Sequence, residues 1–127
     1  MTHTLELRTI SGRFGICKLQ PGDSIPPWAI SGKLWSVTRT DAGISVVCSQ
    51  ENIPRGVEAE RNWRVLEVVG PLSFEMVGVL LSLATPLAEA GVSIYSVSTF
   101  ETDLILIREE SFETACRALT KAGHKII

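Results

Sequence analysis

Residues 65–127 carry two segments of helical spacing, each stopped by a glycine, set around a pair of strongly apolar strands. That order leaves few ways to fold. Val65-Leu66-Glu67-Val68-Val69 is rich in β-branched residues and stops at Gly70-Pro71, as a strand does before a turn. Val77, Leu80, Leu81, Ala84, Leu87 and Ala88 then recur at helical spacing. Ser73 is the expected N-cap, Glu75 falls in the first turn, and Gly91 supplies the stop. Pro86 lies inside this segment, removes the hydrogen bond to the carbonyl of Ser82, and predicts a kink or a local loosening.

Gly91 to Arg108 reads as two strands joined by a tight polar turn, with Thr99, Thr102 and Asp103 gathered at its tip. A second helix follows a cap at Ser111, with Phe112, Ala115, Cys116, Leu119 and Ala122 on one face. Lys121 and Gly123 end it, and His124 to Ile127 gives a last short strand. The order β-α-β-β-α-β predicts an α+β, ferredoxin-like unit with both helices on one face of a four-stranded antiparallel sheet. Leu104 and Leu106, like Ile105 and Ile107, are apolar on opposite alternating faces, and Val65–Val69 repeats the pattern. A sheet wet on one side would alternate apolar with polar, so the second face needs cover from the N-terminal half or from a second subunit.

Residues 1–60 are less regular. Leu5–Ile10 and Phe14–Leu19 look like strands joined through Ser11-Gly12, and Trp28–Gly32 suits a helical turn. Leu34–Thr38, the Asp41-Ala42-Gly43 turn and Ile44–Cys48 form a hairpin. Pro54 to Arg61 reads as a charged connector. A faint echo links the halves: a strand, a connection, then a hairpin.

Composition narrows the function. At 127 residues, 45% hydrophobic and 20% charged, the chain has enough apolar surface for a real core. A net charge of −2 with interspersed signs lacks the basic footprint of a nucleic-acid binder. The longest apolar stretch, around Met76 to Ala90, is broken by Ser82, Thr85, Pro86 and Glu89, so no membrane span is expected. Cys17, Cys48 and Cys116 are odd in number and far apart, which predicts a reduced, cytoplasmic setting without a metal site.

Catalysis is not indicated. His3 and His124 sit near the ends with no nucleophile or acid at a recognisable spacing, and a surface or strand-edge place is expected for each. Neither a nucleophile elbow nor a phosphate-binding loop nor a dinucleotide fingerprint is present. Ser93, Ser96 and Ser98 read as strand residues, and Glu109-Glu110 as a solvated turn. Binding has the better physical case. Gly70 to Gly78 leads into a helix start, whose unpaired N–H groups and positive dipole end suit a carboxylate. Asp103 and Thr99 offer acceptors to an ammonium or other cation, and an amino acid carries both charges. The bland alternative is that Asp103 only closes the hairpin turn and Gly78 only permits close packing.

Gly70-Pro71-Leu72, Pro86-Leu87-Ala88-Glu89-Ala90-Gly91-Val92 and Ser98-Thr99-Phe100-Glu101-Thr102-Asp103, followed by Leu104–Glu109, resemble an ACT domain. The similar subgroup comprises small bacterial proteins of two ACT-like units, related to the CASTOR-type arginine sensors. The Ile44–Ser49 hairpin resembles that subgroup's degenerate N-terminal unit. The resemblance implies a degenerate unit over residues 1–60 and an ACT domain over 61–127. It further implies a non-catalytic regulatory protein that needs no cofactor and holds an amino acid between ACT units. Met76, Val77, Gly78, Val79 and Leu80 with Thr99, Phe100 and Asp103 would form one side of that site. Ser93 and Ile94 would form the other, from the partner in a homodimer. A protein-interaction module without a small-molecule ligand is the alternative.

Overall fold

In the computed structural model, which describes residues 3–73 and 75–127, the chain divides into two units. One joins the described residues of Met1–Ser11 to Arg64–Ile127, and the other is Gly12–Trp63. The division expected near residue 60 thus falls between Trp63 and Arg64, and the start of the chain goes with its C-terminal half. Phe74, in the loop before the first helix, lies outside the described residues. The strands are β1 (Glu6–Leu19), β2 (Ser36–Thr40), β3 (Gly43–Ser49), β4 (Ala59–Val68), β5 (Ile94–Ser98), β6 (Asp103–Arg108) and β7 (Lys125–Ile126). The helices are α1 (Val79–Glu89) and α2 (Phe112–Lys121). The chain is α+β, with the ferredoxin-like order β4-α1-β5-β6-α2-β7 in the first unit.

In that unit β5 and β6 form the expected hairpin, with Ile94 opposite Ile107 and Ser98 opposite Asp103. β6 neighbours β4, and β4 neighbours β1. β7 pairs in parallel with β1, Glu6 opposite Lys125 and Leu7 opposite Ile126. The sheet therefore differs from the expected four antiparallel strands, because the start of β1 is inserted between β4 and β7. Leu5 and Leu7 explain the insertion: spaced by two, both point into the cluster that joins sheet to helices. Leu66, Val68, Ile105 and Ile107 supply the sheet side of that cluster. Val79, Leu83 and Leu87 come from α1, and Ala115 and Leu119 from α2. Both helices thus cover one face, and each fully buried Leu or Ile there contributes about 1.5–3 kcal/mol. On the alternate face Val65, Leu104 and Leu106 are no more than 5% exposed in the single chain. Burial at these positions needs no second subunit.

Both helices end in the same hydrogen-bonded stop. Val92 N–H donates to Leu87 O and Gly91 N–H to Ala88 O, while His124 N–H donates to Leu119 O and Gly123 N–H to Thr120 O. Pro86 does not end α1, which runs through it to Glu89. The carbonyl it orphans, Ser82 O, lies 3.0 Å from Nε2 of His124. Leu5 N–H donates to the other ring nitrogen, Nδ1, at 3.1 Å. A proton on Nε2 satisfies both contacts. His124 is 4% exposed, so of the expected surface or strand-edge place the surface one is corrected: next to β7, it is a buried crosslink between α1 and Leu5, just ahead of β1. Ser111 occupies the N-cap position of α2 but makes no side-chain cap. The Arg64 guanidinium lies 4.4 Å from the centre of the Phe112 ring and pairs with Glu109 at 3.5 Å, tying that helix start to β4.

The second unit repeats the strand order with its helices nearly erased. β2 pairs with β3 around Asp41-Ala42, β3 pairs with β1, and β1 neighbours β4. This is the succession second, third, first, fourth, and in the first unit β5, β6 and β4 follow it too. Where helices would stand there are only 3-10 turns, Pro27–Ile30 and Gln50–Asn52. The first connection carries Pro21, Pro26, Pro27, Gly22 and Gly32, and the second is short and runs into Pro54 and Gly56, so neither sustains a helix. Two sequence expectations change here. Residues 6–19 form one strand rather than two, and the charged connector ends at Glu58, because β4 starts at Ala59. Cys17, Ala29, Ile44, Val46, Cys48 and Ile53 make this unit's own cluster.

Candidate functional site

The turn between β5 and β6 is closed by threonines. Thr99 N–H donates to Thr102 O at 2.8 Å, and the Thr99 hydroxyl both accepts from Thr102 N–H and donates to Thr102 O, each at 3.0 Å. Asp103 is therefore not the turn-closer. It stands in β6 opposite Ser98, whose hydroxyl donates to its Oδ1 at 2.6 Å. By the alternation of a strand, Asp103 shares a face with Ile105 and Ile107, the face that the helices cover.

The loop after β4 is locked to this tip. Leu72 N–H donates to Glu101 O at 2.6 Å, and the Thr102 hydroxyl donates to Val68 O. A Cβ at position 70 would lie 2.8 Å from Glu101 O, a backbone atom that cannot swing aside, so only glycine allows the approach. The expected cap at Ser73 is corrected. Its hydroxyl accepts Glu75 N–H at 3.1 Å in a local turn, and the helix starts later, at Val79. Gly78 takes the N-cap position at a left-handed φ of 81°, where glycine alone is unstrained. α1 has no side-chain cap and no acid in its first turn, and Glu75 precedes it. No acid of its own first turn therefore meets its N-terminal dipole.

Loop, helix start and tip enclose a recess of about 200 Å³ lined by Leu72, Ser73, Met76, Val79, Ser98, Thr99, Phe100, Thr102 and Asp103. Met76, Val79, Thr99, Phe100 and Asp103, expected from sequence, are brought together here. Val77, Gly78 and Leu80 belong to the same loop and helix start without lining the recess. Val77 is 81% exposed and Phe100 78%, so the rim is apolar and open. Ser93 and Ile94 are not brought in. Ile94 lies four residues from Ser98 along β5, roughly 13 Å at strand rise. Its side chain packs against the helix-side core, and Ser93 is exposed. Leu72, Ser73, Ser98 and Thr102 also line the recess, though the sequence offered none of them as a binding residue. Ser98 and Thr102 were visible there only as members of the Ser98–Asp103 motif.

Among the described residues no group of three or more His, Cys, Asp or Glu is placed to hold a metal ion. No described helix is long and apolar enough to cross a membrane.

The comparisons with known proteins follow these features. A family model of the ACT domain matches residues 58–121, and a model of an N-terminal domain matches residues 12–56. The human cytosolic arginine sensor for mTORC1 subunit 1 is 35% identical over 60 residues, 46% of this chain and 18% of that protein. The chain thus spans under a fifth of the length of the curated relatives it matches. A crystallised protein from Agobacterium tumefaciens has a TM-score of 0.94 and 35% identity over 99% of this chain and 94% of the other. The ligand-free regulatory subunit of aspartate kinase from Thermus thermophilus has a TM-score of 0.65, covering 91% of this chain and 95% of that one. At 14% identity it speaks for the fold alone.

Proposed function

This chain belongs to the ACT-domain family, and from that premise we propose that it is a regulatory protein that binds an amino acid and catalyses nothing. The observation that carries the reading is the recess itself. An uncapped helix start faces a hairpin tip that presents one of its two carboxylates, Asp103, to the recess. The ligand's carboxylate would be held near the first-turn N–H groups of Val79 and Leu80, beyond Val77 and Gly78. Its ammonium or a cationic side chain would meet Asp103, whose carboxylate the Ser98 hydroxyl orients. Met76, Thr99 and Phe100 would wall it. The named activity of the relative, arginine sensing, supports an amino acid as the class of ligand.

A recess of about 200 Å³ is smaller than the roughly 300–1,000 Å³ of complete ligand pockets. That shortfall supports a site closed by a second copy, with Ser93 and Ile94 of the partner as the missing wall and a homodimer as the working form. Ile94, its side chain spent in its own core, would contribute backbone groups. The cytoplasm is the proposed setting, supported by the free thiols of Cys17, Cys48 and Cys116.

The test is a thermal-shift screen of the twenty amino acids at millimolar concentration, with light scattering for the oligomeric state. At a hundredfold excess over Kd, a ligand stabilises by about 2.7 kcal/mol, several degrees in Tm. Asp103→Asn keeps an acceptor for Ser98 but removes the charge, and is expected to weaken binding about tenfold or more. A folded dimer that none of the twenty stabilises, or an Asp103→Asn variant with full response, counts against the reading. The exposed Val77, Leu81 and Phe100 favour a second reading, a protein-interaction module without a small ligand. A stoichiometric partner captured equally with and without amino acids would favour it.

A further inference from the structure

α1 starts on a glycine with no side chain to hold it, yet its first turn is gripped from outside the helix. His3 Nε2 lies 2.6 Å from Val77 O, and His3 N–H donates to the Ser82 hydroxyl at 3.0 Å. That hydroxyl donates in turn to Gly78 O at 2.8 Å, beside the first helical hydrogen bond, Ser82 N–H to Gly78 O at 2.9 Å. The carbonyls of Val77 and Gly78, on either side of the Gly78 N-cap, are therefore both restrained, one by the His3 ring and one by a serine that His3 also holds. One turn on, His124 takes the Ser82 carbonyl and anchors the far side of the same turn to the N-terminal strand through Leu5.

We propose that His3 is a positioning residue for the ligand recess: by clasping the Val77 carbonyl it fixes the Val77–Gly78 peptide and holds the first-turn N–H groups of α1 beside Val79 and Asp103. This rests on the reading of that recess as an amino-acid site. Glycine at a left-handed φ gains the most from such a clasp, because it has the most backbone freedom to lose. A donor set held still before the ligand arrives spares the ligand the cost of ordering it. The coupling is reciprocal: if the clasp tightens the ligand, the ligand tightens the clasp by the same factor. Occupancy would then be felt at the N-terminal segment through His3, outside the recess.

The experiment is amide hydrogen exchange on the full chain, tagged at the C-terminus only, for wild type, His3→Ala, His3→Gln and Ser82→Ala. In the absence of any ligand, His3→Ala is expected to speed exchange of the Ser82 and Leu83 amides about tenfold while α2 and β6 keep their protection. Ser82→Ala, which breaks the other arm of the clasp, is expected to act on the same amides. His3→Gln, which retains a side-chain N–H donor, restores most of the loss. For an amino acid that stabilises wild type, His3→Ala weakens binding by about three- to tenfold and His3→Gln returns it towards wild type. Unchanged exchange in His3→Ala, uniform acceleration across the chain, or equal affinity in wild type and His3→Ala overturns the proposal. A wild-type chain that binds no amino acid, yet loses first-turn protection with His3→Ala, sinks the ligand reading and leaves His3 as the holder of the helix start.

Discussion

Cys17 and Cys48 are buried side by side: Cys48 stands opposite Gly15 in the register of β1 with β3, two residues from Cys17, and the thiols share a hydrogen bond. Burial pushes the Cys48 thiol from an ordinary 9.0 up to about 11 and raises Cys17 as well. Below pH 9 these thiols are protonated in both the folded and the unfolded chain and make no difference to pH dependence. Between pH 9 and about 11 the unfolded chain releases a proton that folded Cys48 keeps, so stability falls as pH rises. At about 1.4 kcal/mol per pKa unit, Cys48 alone removes about 2 kcal/mol by pH 11, where its folded thiol is itself half ionised. Thermal melts from pH 8 to 11 should show the fall, and Cys48→Ala should make it shallower; a Tm flat across that range contradicts the assignment. Legibility from sequence was uneven at this scale. Thr99 and Asp103 announce themselves because turn chemistry is local, and a polar tip between apolar strands has few other uses. His124 does not, since its burial depends on a carbonyl 42 residues away that Pro86 leaves vacant. The vacancy at Ser82 was foreseen, but its occupant is set by the three-dimensional fold.

For the elements, stops proved easier to read than starts. Gly91 lies at a φ of 74° with nothing within 4 Å of where a Cβ would stand, so the cost of a side chain there is conformational and not steric. Gly91→Ala should destabilise the chain by about 1–2 kcal/mol, and Gly91→Asn by less, because asparagine tolerates the left-handed region. Urea melts of the two variants check the ranking, and an alanine variant as stable as wild type would refute it. The start of α1 misled because Ser73 offers the signature of a cap but spends its hydroxyl on a turn two residues on. Apolar spacing from Val77 onward carries no mark of where hydrogen bonding begins. In the N-terminal unit the reverse holds. The strands and the hairpin are plain in the alternation, while the lost helices show only as prolines and glycines in the connections.

Across the whole molecule, the twice-apolar strands gave a sound demand, and the single chain meets it at Leu106, which is fully buried on the face away from the helices. Leu106→Ala should cost about 2–5 kcal/mol. The difference from wild type should be the same in dilute and concentrated protein, since no partner is needed to bury that side chain. Denaturant melts at two well-separated concentrations decide it, and a loss that shrinks on dilution would mean that a second copy supplies the cover. The insertion of β1 between β4 and β7 was not legible, because Leu5 and Leu7 alternate equally well for any place in a sheet. That insertion also sets an order of assembly. The β5–β6 hairpin closes across a few residues, whereas Leu5 and His124, which share a hydrogen bond, are 119 residues apart. β7 has its pairing with β1, so it docks only where the start of β1 has already settled. Closing that loop carries the larger entropy, growing with the logarithm of its length. On the ribosome the helix-covered sheet would thus wait, one strand short, until residues 125–126 emerged.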